Sequence, residues 1–245
     1  MTNWRNAVVL VTGATSGIGL AVAQACQARG ADVIICARTA SAVEACRTEN
    51  GFACGHVCDV TDLEQVEAMM ADIALRFGRL DVLVANTGGL RECDFADGVV
   101  DPQLIASTIE MNLTSPIQLV NQALPLVLAS ANPRVVMVGS GFGWSPSGRA
   151  PLYSAGKAGV RAFVQALRLQ LARKGVHVLE AVPPVVDTPA TARVSARKIS
   201  STTMAEAILT ALDRGRREAF AGQTRFIPIM LRLAPRVLER ITGKS

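Results

Sequence analysis

Short apolar runs alternate with longer segments of helical spacing along most of the chain, and this alternation limits the possible folds more than any single residue does. The short runs are Ala7–Val11, Asp32–Ala37, Phe52–Val57, Asp81–Ala85, Arg134–Gly139, Val176–Val182 and a brief one near Ala219–Ala221. Between them, helical spacing covers Gly17–Arg29, Leu63–Phe77, Asp101–Ser130, Leu152–Lys174 and Thr202–Arg214. Strand, helix and strand repeated in this order build right-handed crossovers and a doubly wound parallel sheet. In the longest helical segment, Pro116 and Pro125 are expected to bend or divide the helix.

Composition agrees with that class. Half of the 245 residues are hydrophobic but only 4% are aromatic, so the core must be built mainly from Ala, Val, Ile and Leu. Such a core suits parallel strands covered by helices on both faces. The net charge is +5 and the pI is near 9.1. A basic balance fits nucleic acid or a phosphorylated small ligand. No Lys/Arg run or basic–aromatic interleaving is present, so nucleic acid is the weaker reading. No apolar stretch approaches the roughly 18 residues of a membrane span. Only Met1–Asn6 precede the first strand, so no signal peptide is expected. The cysteines Cys26, Cys36, Cys46, Cys54, Cys58 and Cys93 lack a disulfide-scaffold spacing, which favours reduced thiols and a cytoplasmic location. Cys54, His56 and Cys58 alternate along one run and could share a face, but they lack a fourth ligand. They are read as ordinary strand residues, and no metal site is expected. No linker or repeat divides the chain. We expect one catalytic domain over 1–222 and an apolar, basic tail over 223–245.

The first strand runs into Thr12-Gly13-Ala14-Thr15-Ser16-Gly17-Ile18-Gly19. Glycines there permit a tight turn and close approach of backbone to a pyrophosphate, and the helix that follows points unpaired N–H groups at the anion. A glycine-rich turn can also be purely structural, but its position between the first strand and the first helix of a Rossmann-like sheet suits a dinucleotide. The spacing T-G-x-x-x-G-x-G differs from G-x-G-x-x-G. It resembles the variant found in the short-chain dehydrogenase/reductase family.

The resemblance continues in order along nearly the whole chain. Cys58-Asp59-Val60 is similar to the family segment in which Asp and the next backbone contact adenine. Asn86-Thr87-Gly88 is similar to its N-A-G segment, with Thr replacing Ala. Asn112 falls at the family's helix asparagine. Ser140 ends the fifth strand, thirteen residues before Tyr153. Tyr153-Ser154-Ala155-Gly156-Lys157 is the Y-x-x-x-K motif. The resemblance implies a cofactor held by Gly13, Thr15, Ser16, Gly17, Ile18, Gly19, Asp59, Val60, Asn86, Tyr153, Lys157, Val186 and Thr188. It implies catalysis by Asn112, Ser140, Tyr153 and Lys157.

The residue after the second strand selects the cofactor. An NAD site commonly has an acidic residue there for the ribose hydroxyl. This chain has Ala37 followed by Arg38, whose guanidinium can bind a 2′-phosphate with charge-assisted hydrogen bonds. NADP(H) is therefore expected.

Tyr153 and Lys157 lie four residues apart and share a helix face. A free tyrosine has a pKa of about 10, and positive charge nearby would favour its phenolate. Tyr153 would then protonate a carbonyl oxygen as hydride arrives, or accept the alcohol proton in the reverse direction. By the resemblance, Lys157 would bind the nicotinamide ribose, Ser140 would orient the substrate carbonyl, and Asn112 would hold a water on the proton path to Lys157. The expected activity is reversible, NADP(H)-dependent interconversion of a carbonyl and a secondary alcohol. The alternatives are a regulatory or scaffold protein with vestigial catalysis, or a related dehydratase or epimerase.

The chain departs from the family pattern in two places. Pro183-Pro184 replaces the usual Pro-Gly, although Val186 and Thr188 still match the contacts that hold the carboxamide. Only about a dozen residues separate Thr188 from the next helix, near Thr202, so the substrate lid is expected to be short. The tail alternates Phe226, Ile227, Ile229, Met230, Leu231, Leu233, Val237 and Leu238 with Arg225, Arg232, Arg236 and Arg240. Pro228 and Pro235 argue against a continuous membrane-surface helix. The tail is expected to pack on its own domain or on a partner subunit. A homodimer or homotetramer is expected, with a small carbonyl or alcohol as the other ligand.

Overall fold

The computed structural model describes residues 4–243. The expectations for Met1–Asn3 and for the last two residues of the tail lie outside the described residues. Seven parallel strands form one sheet: β1 (Val8–Thr12), β2 (Asp32–Ala37), β3 (Cys54–Val57), β4 (Val82–Ala85), β5 (Arg134–Val138), β6 (His177–Val182) and β9 (Glu218–Phe220). Their order is β3-β2-β1-β4-β5-β6-β9, so the chain reverses direction across the sheet between β1 and β4. Ligands of doubly wound sheets sit at the carboxyl ends of the strands at such a reversal. A two-stranded pair, β7 (Val186–Asp187) with β8 (Ile199–Ser200), lies apart from this sheet.

Helices cover both faces, and each face has its own aliphatic core. Val9, Val11, Ile35, Val84, Val136 and Leu179 point to one side, toward α1 (Gly17–Gln27), α2 (Ala40–Asn50) and α7 (Ser201–Asp213). Leu10, Ile34, Leu83, Val135, Met137 and Val178 point to the other, toward α3 (Leu63–Phe77), α5 (Ser115–Leu128) and α6 (Pro151–Leu171). Consecutive strand residues thus bury opposite faces, which is why the strands read as continuous apolar runs.

Two features of the elements refine the sequence reading. The segment Asp101–Ser130 is divided just before Pro116 and runs on through Pro125. It contains α4 (Pro102–Ile109), a π-helical turn (Glu110–Thr114) and α5. Pro102 and Pro116 occupy first turns, where a missing N–H costs little, and Pro125 lies inside α5. The divider is the π turn at Asn112, where Ser115 Oγ bonds the Glu110 carbonyl at 2.7 Å. The second feature is α2, which sequence spacing did not reveal. Its buried residues are only Val43 and Cys46, too few to make a readable stripe.

The tail forms two short helices, α8 (Ile227–Leu233) and α9 (Pro235–Thr242), each with a proline in its first turn. Ile227 and Leu238 are buried against the domain, while Phe226, Ile229, Leu233, Val237 and Ile241 stay exposed. No described helix is long and apolar enough to cross a membrane.

Candidate active site

The turn after β1 is built from backbone. Gly13 and Gly17 have φ of +61° and +58°, a left-handed conformation that favours glycine. Gly19 is required by space, because a Cβ there would lie 2.3 Å from the Gly13 carbonyl oxygen. Ser16 is the N-cap residue of α1, and its side chain makes no capping bond. The first N–H groups of α1, including those of Gly17, Ile18 and Gly19, therefore form an anion-binding end. Thr15 lies in the turn itself.

Asn86, just beyond β4, braces this turn. Its Nδ2 donates to the carbonyls of Thr12 (2.9 Å) and Gly13 (3.3 Å). Thr12 Oγ1 accepts from the backbone N–H groups of Asn86 (3.1 Å) and Thr87 (3.3 Å). Arg38 is exposed after the end of β2 and has no protein partner among the described residues. Val60 is buried, and Asp59 Oδ1 accepts from Thr61 N and Oγ1 at 3.0 and 2.8 Å. The Asp59 carboxylate thus caps its own loop.

A second group of residues converges after β5. Ser140 caps a single 3₁₀ turn, Gly141–Gly143, and its Oγ accepts the Phe142 N–H at 3.1 Å. The α6 helix begins at Pro151 and carries both Tyr153 and Lys157. The Ser140 hydroxyl favours the Tyr153 phenolate, but removal of water prevails and holds the phenol above its ordinary range. Lys157 is only 3% exposed, and its Nζ donates to the Val138 carbonyl at 2.8 Å. Burial pushes the ammonium down to about 8, partly opposed by the negative charge of Glu180. Lys157 Nζ lies 5.8 Å from the Tyr153 ring centroid.

Asn112 is fully buried. Its Nδ2 donates to the carbonyls of Gly89 (2.9 Å) and Thr108 (3.0 Å), and its Oδ1 accepts from Gly89 N at 3.1 Å. One amide proton and the amide oxygen therefore hold the loop after β4 to the π turn, and the other proton bonds back to α4. Gly88 has no side chain at a point where a Cβ would lie 3.1 Å from both Asn112 Oδ1 and Lys157 Nζ. Asn112 and Lys157 thus meet around one backbone position.

Val186 is buried in β7, and Thr188 follows it. Thr188 faces the glycine turn: a Cβ on Gly17 would lie 2.8 Å from Thr188 Cγ2. Pro184 does not disorganise this path. The Pro183 carbonyl accepts from Gly141 N at 3.1 Å, and the Val182 carbonyl accepts from Thr224 Oγ1 at 2.7 Å. The segment between Thr188 and α7 is short, as expected, and is closed by the β7–β8 pairing.

The tail reaches the turn after β5, which sequence reasoning did not locate. Thr224 Cγ2 and Ile227 Cδ1 would lie 3.1 and 3.3 Å from a Cβ on Gly141. Ser145 Oγ bonds Thr242 Oγ1 at 2.8 Å. On the opposite side, Glu92 pairs with Arg149 at 2.8 Å. The chain between Ser140 and Tyr153 is thereby held between the tail and the loop after β4.

Cys54, His56 and Cys58 do not gather as a trio. Cys58 lies beyond β3 and hydrogen-bonds Cys36. Cys54 Sγ and His56 Nε2 lie 3.5 Å apart and share their surroundings with Asp72. Arg76 already donates to Cys54 Sγ at 2.9 Å and to Asp72 Oδ2 at 3.4 Å, so a cation is present in that cluster.

Comparison with known proteins gives this geometry a context. A sequence profile described as short chain dehydrogenase matches residues 7–199. The granaticin polyketide synthase putative ketoacyl reductase 1 of Streptomyces violaceoruber is 39% identical over 193 residues, covering 76% of this chain and 70% of that protein. The uncharacterized oxidoreductase DltE of Bacillus subtilis (strain 168) is 32% identical over 219 residues, 87% of each chain. Among solved structures, an actinorhodin polyketide ketoreductase variant with NADPH superposes with a TM-score of 0.79 at 29% identity, covering 90% of this chain and 97% of that one. A short chain dehydrogenase from Burkholderia cenocepacia J2315 in complex with NADP superposes with a TM-score of 0.87 at 23% identity, covering 98% and 99%, which shows the shared fold.

Proposed function

The chain belongs to the short chain dehydrogenase family of oxidoreductases, and from that premise we propose that it interconverts a carbonyl and a secondary alcohol by hydride exchange with NADP(H). The observation that carries this reading is that Lys157 Nζ lies 5.8 Å from the Tyr153 ring centroid and closes with Asn112 on Gly88, in the same loop whose Asn86 braces the glycine turn. Bound NADPH supplies the hydride. The residues that would hold it fit: a glycine turn into which a Cβ would intrude, a free helix end at Gly17, and Arg38 exposed and unpartnered after β2. An arginine without a protein partner is suited to a 2′-phosphate. The NADPH in the crystallised ketoreductase relative agrees with this choice.

The protein's part in the chemistry is to place and move a proton. Ser140 orients the substrate oxygen toward the Tyr153 hydroxyl, which donates the proton during reduction. Burial raises the phenol's pKa and keeps it protonated for that step. Lys157 holds positive charge near the phenol, and in the reverse direction that charge favours the phenolate. Asn112 fixes the loop after β4, so a water on the proton path would be held by the π turn rather than by its two committed amide protons. The curated ketoacyl reductase relative suggests ketoacyl thioesters among the ketones to try first. Partner subunits are proposed to pack through the α4–α5 segment and α6, where Leu128 and Leu169 are exposed, giving a homodimer or homotetramer in the cytoplasm. Light scattering across a concentration series tests that assembly.

Tyr153→Phe tests the chemistry. It keeps the ring but removes the acid, so turnover is expected to fall at least about a hundredfold while NADPH affinity and thermal stability stay near parental. Because Tyr153 is the chain's single tyrosine, its ionisation can also be followed directly by tyrosinate absorbance. Parental rates in folded, NADPH-bound Tyr153→Phe would remove Tyr153 from the mechanism.

A further inference from the structure

Glu180 is a carboxylic acid with no solvent exposure, placed in β6 where the strand otherwise buries aliphatic residues. Its side chain lies on the α6 side of the sheet, as Val178 does. Oε1 accepts the Trp144 indole N–H at 3.0 Å, and Oε2 has no partner. A buried carboxyl with an unsatisfied oxygen is costly, so its presence calls for a local reason. The neighbourhood supplies one. A Cβ on Gly139 would lie 2.7 Å from Oε1, so the carboxyl fills the space above the residue that precedes Ser140. Trp144, its hydrogen-bond donor, ends the 3₁₀ turn that begins at Ser140. The same indole lies under the Arg161 guanidinium, 3.6 Å from ring centroid to Cζ, and edge-on to Phe220 at 5.2 Å.

We propose that Glu180 is a positioning residue for the catalytic turn: it anchors Trp144, holds the Ser140–Trp144 segment against α6, and supplies negative charge that sustains the Lys157 ammonium. This rests on the assignment of Ser140, Tyr153 and Lys157 as the catalytic group. The charged groups around the carboxyl come from two elements. Lys157, Arg161 and Arg168 belong to α6 and Glu218 is its register partner on β9, while the neutral Trp144 caps it from the turn. Arg168 is itself engaged by Glu218 at 2.9 Å. Burial raises the Glu180 carboxyl to about 7, opposed by Trp144 and Arg161. The carboxylate therefore appears as pH rises through neutrality and is present where Lys157, held at about 8, would otherwise begin to lose its proton.

Glu180→Gln separates this role from simple packing. Its amide oxygen can still accept the Trp144 N–H, but the charge is gone. Turnover of a ketone with NADPH is expected to match the parent near pH 6 and fall below it above pH 7, several-fold at pH 8. The alkaline limb should move to lower pH by on the order of half to one unit. A structural defect alone would lower the rate by the same factor at every pH. Trp144→Phe, which removes the donor and makes the carboxyl harder to ionise, should shift the limb in the same direction. A readout independent of activity is the tryptophan emission that is lost on Trp144→Phe. In the cofactor-free parent it should titrate with a midpoint near 7, and in Glu180→Gln it should be flat. A pH–rate profile of Glu180→Gln parallel to the parent's, or a parental Trp144 signal flat from pH 6 to 8, would overturn the proposal. If the parent reduces no ketone, the catalytic assignment fails, and the emission titration still decides whether Glu180 is the ionising partner of Trp144.

Discussion

The turns after β1 and after β5 leave the same edge of one sheet but are built from different materials. The first, Gly13–Gly19, is backbone: positive φ angles, a carbonyl that excludes any Cβ, and a helix end with free N–H groups. Among its neighbours, Asn86 and Thr12 are neutral, and Arg38, a cation suited to the ligand, is in solvent. The second, Gly139–Trp144, is packed against two ionisable side chains withdrawn from water, Lys157 and Glu180. A binding turn has only to fit an anion, which dipoles and N–H groups do without charge burial. A chemical turn has to move a proton near neutral pH, which requires groups whose pKa values have been shifted toward that range.

The largest expected effect is on the chemical side. Lys157→Ala removes the buried ammonium, so turnover should drop at least about a hundredfold. The tyrosinate absorbance of Tyr153 should also appear at higher pH than in the parent, since a nearby positive charge is lost. An unchanged tyrosine titration would separate Lys157 from Tyr153 and weaken the contrast between the two turns. On the binding side, Arg38→Ala should cost about 1.5–3 kcal/mol of NADPH affinity by loss of a charged hydrogen bond. NADH affinity should be nearly unaffected. Titration of both cofactors into both proteins measures it, and equal affinities for NADH and NADPH in the parent would defeat the assignment. The smallest effect expected is from Gly19→Ala. Its Cβ must push the Gly13 carbonyl aside, at about 1–3 kcal/mol of stability by overpacking. Cofactor affinity should fall with it, while the tyrosine titration of the cofactor-free protein stays parental. A shift in that titration would mean the two turns are mechanically coupled.

The sequence by itself determined the sheet. Continuous apolar runs at regular intervals leave parallel strands as the economical burial, and β2 and α3 begin and end where the spacing places them. It also determined the candidate site, because Thr12–Gly19, Ser140 and Tyr153–Lys157 each keep a local spacing that survives folding. What depends on distant packing was not legible. The helix α2 has too few buried residues to show a period, and the π turn at Asn112 arises from one extra residue in a helix otherwise regular in sequence. The approach of the tail to Gly141 and Ser145 joins positions far apart in the chain. Glu180 shows the limit most clearly: in sequence it is one acid in an apolar strand, with no local partner. Only the tertiary structure brings Gly139, Trp144 and Arg161 around it, and a carboxyl's ionisation is set by the water removed and the charges placed beside it.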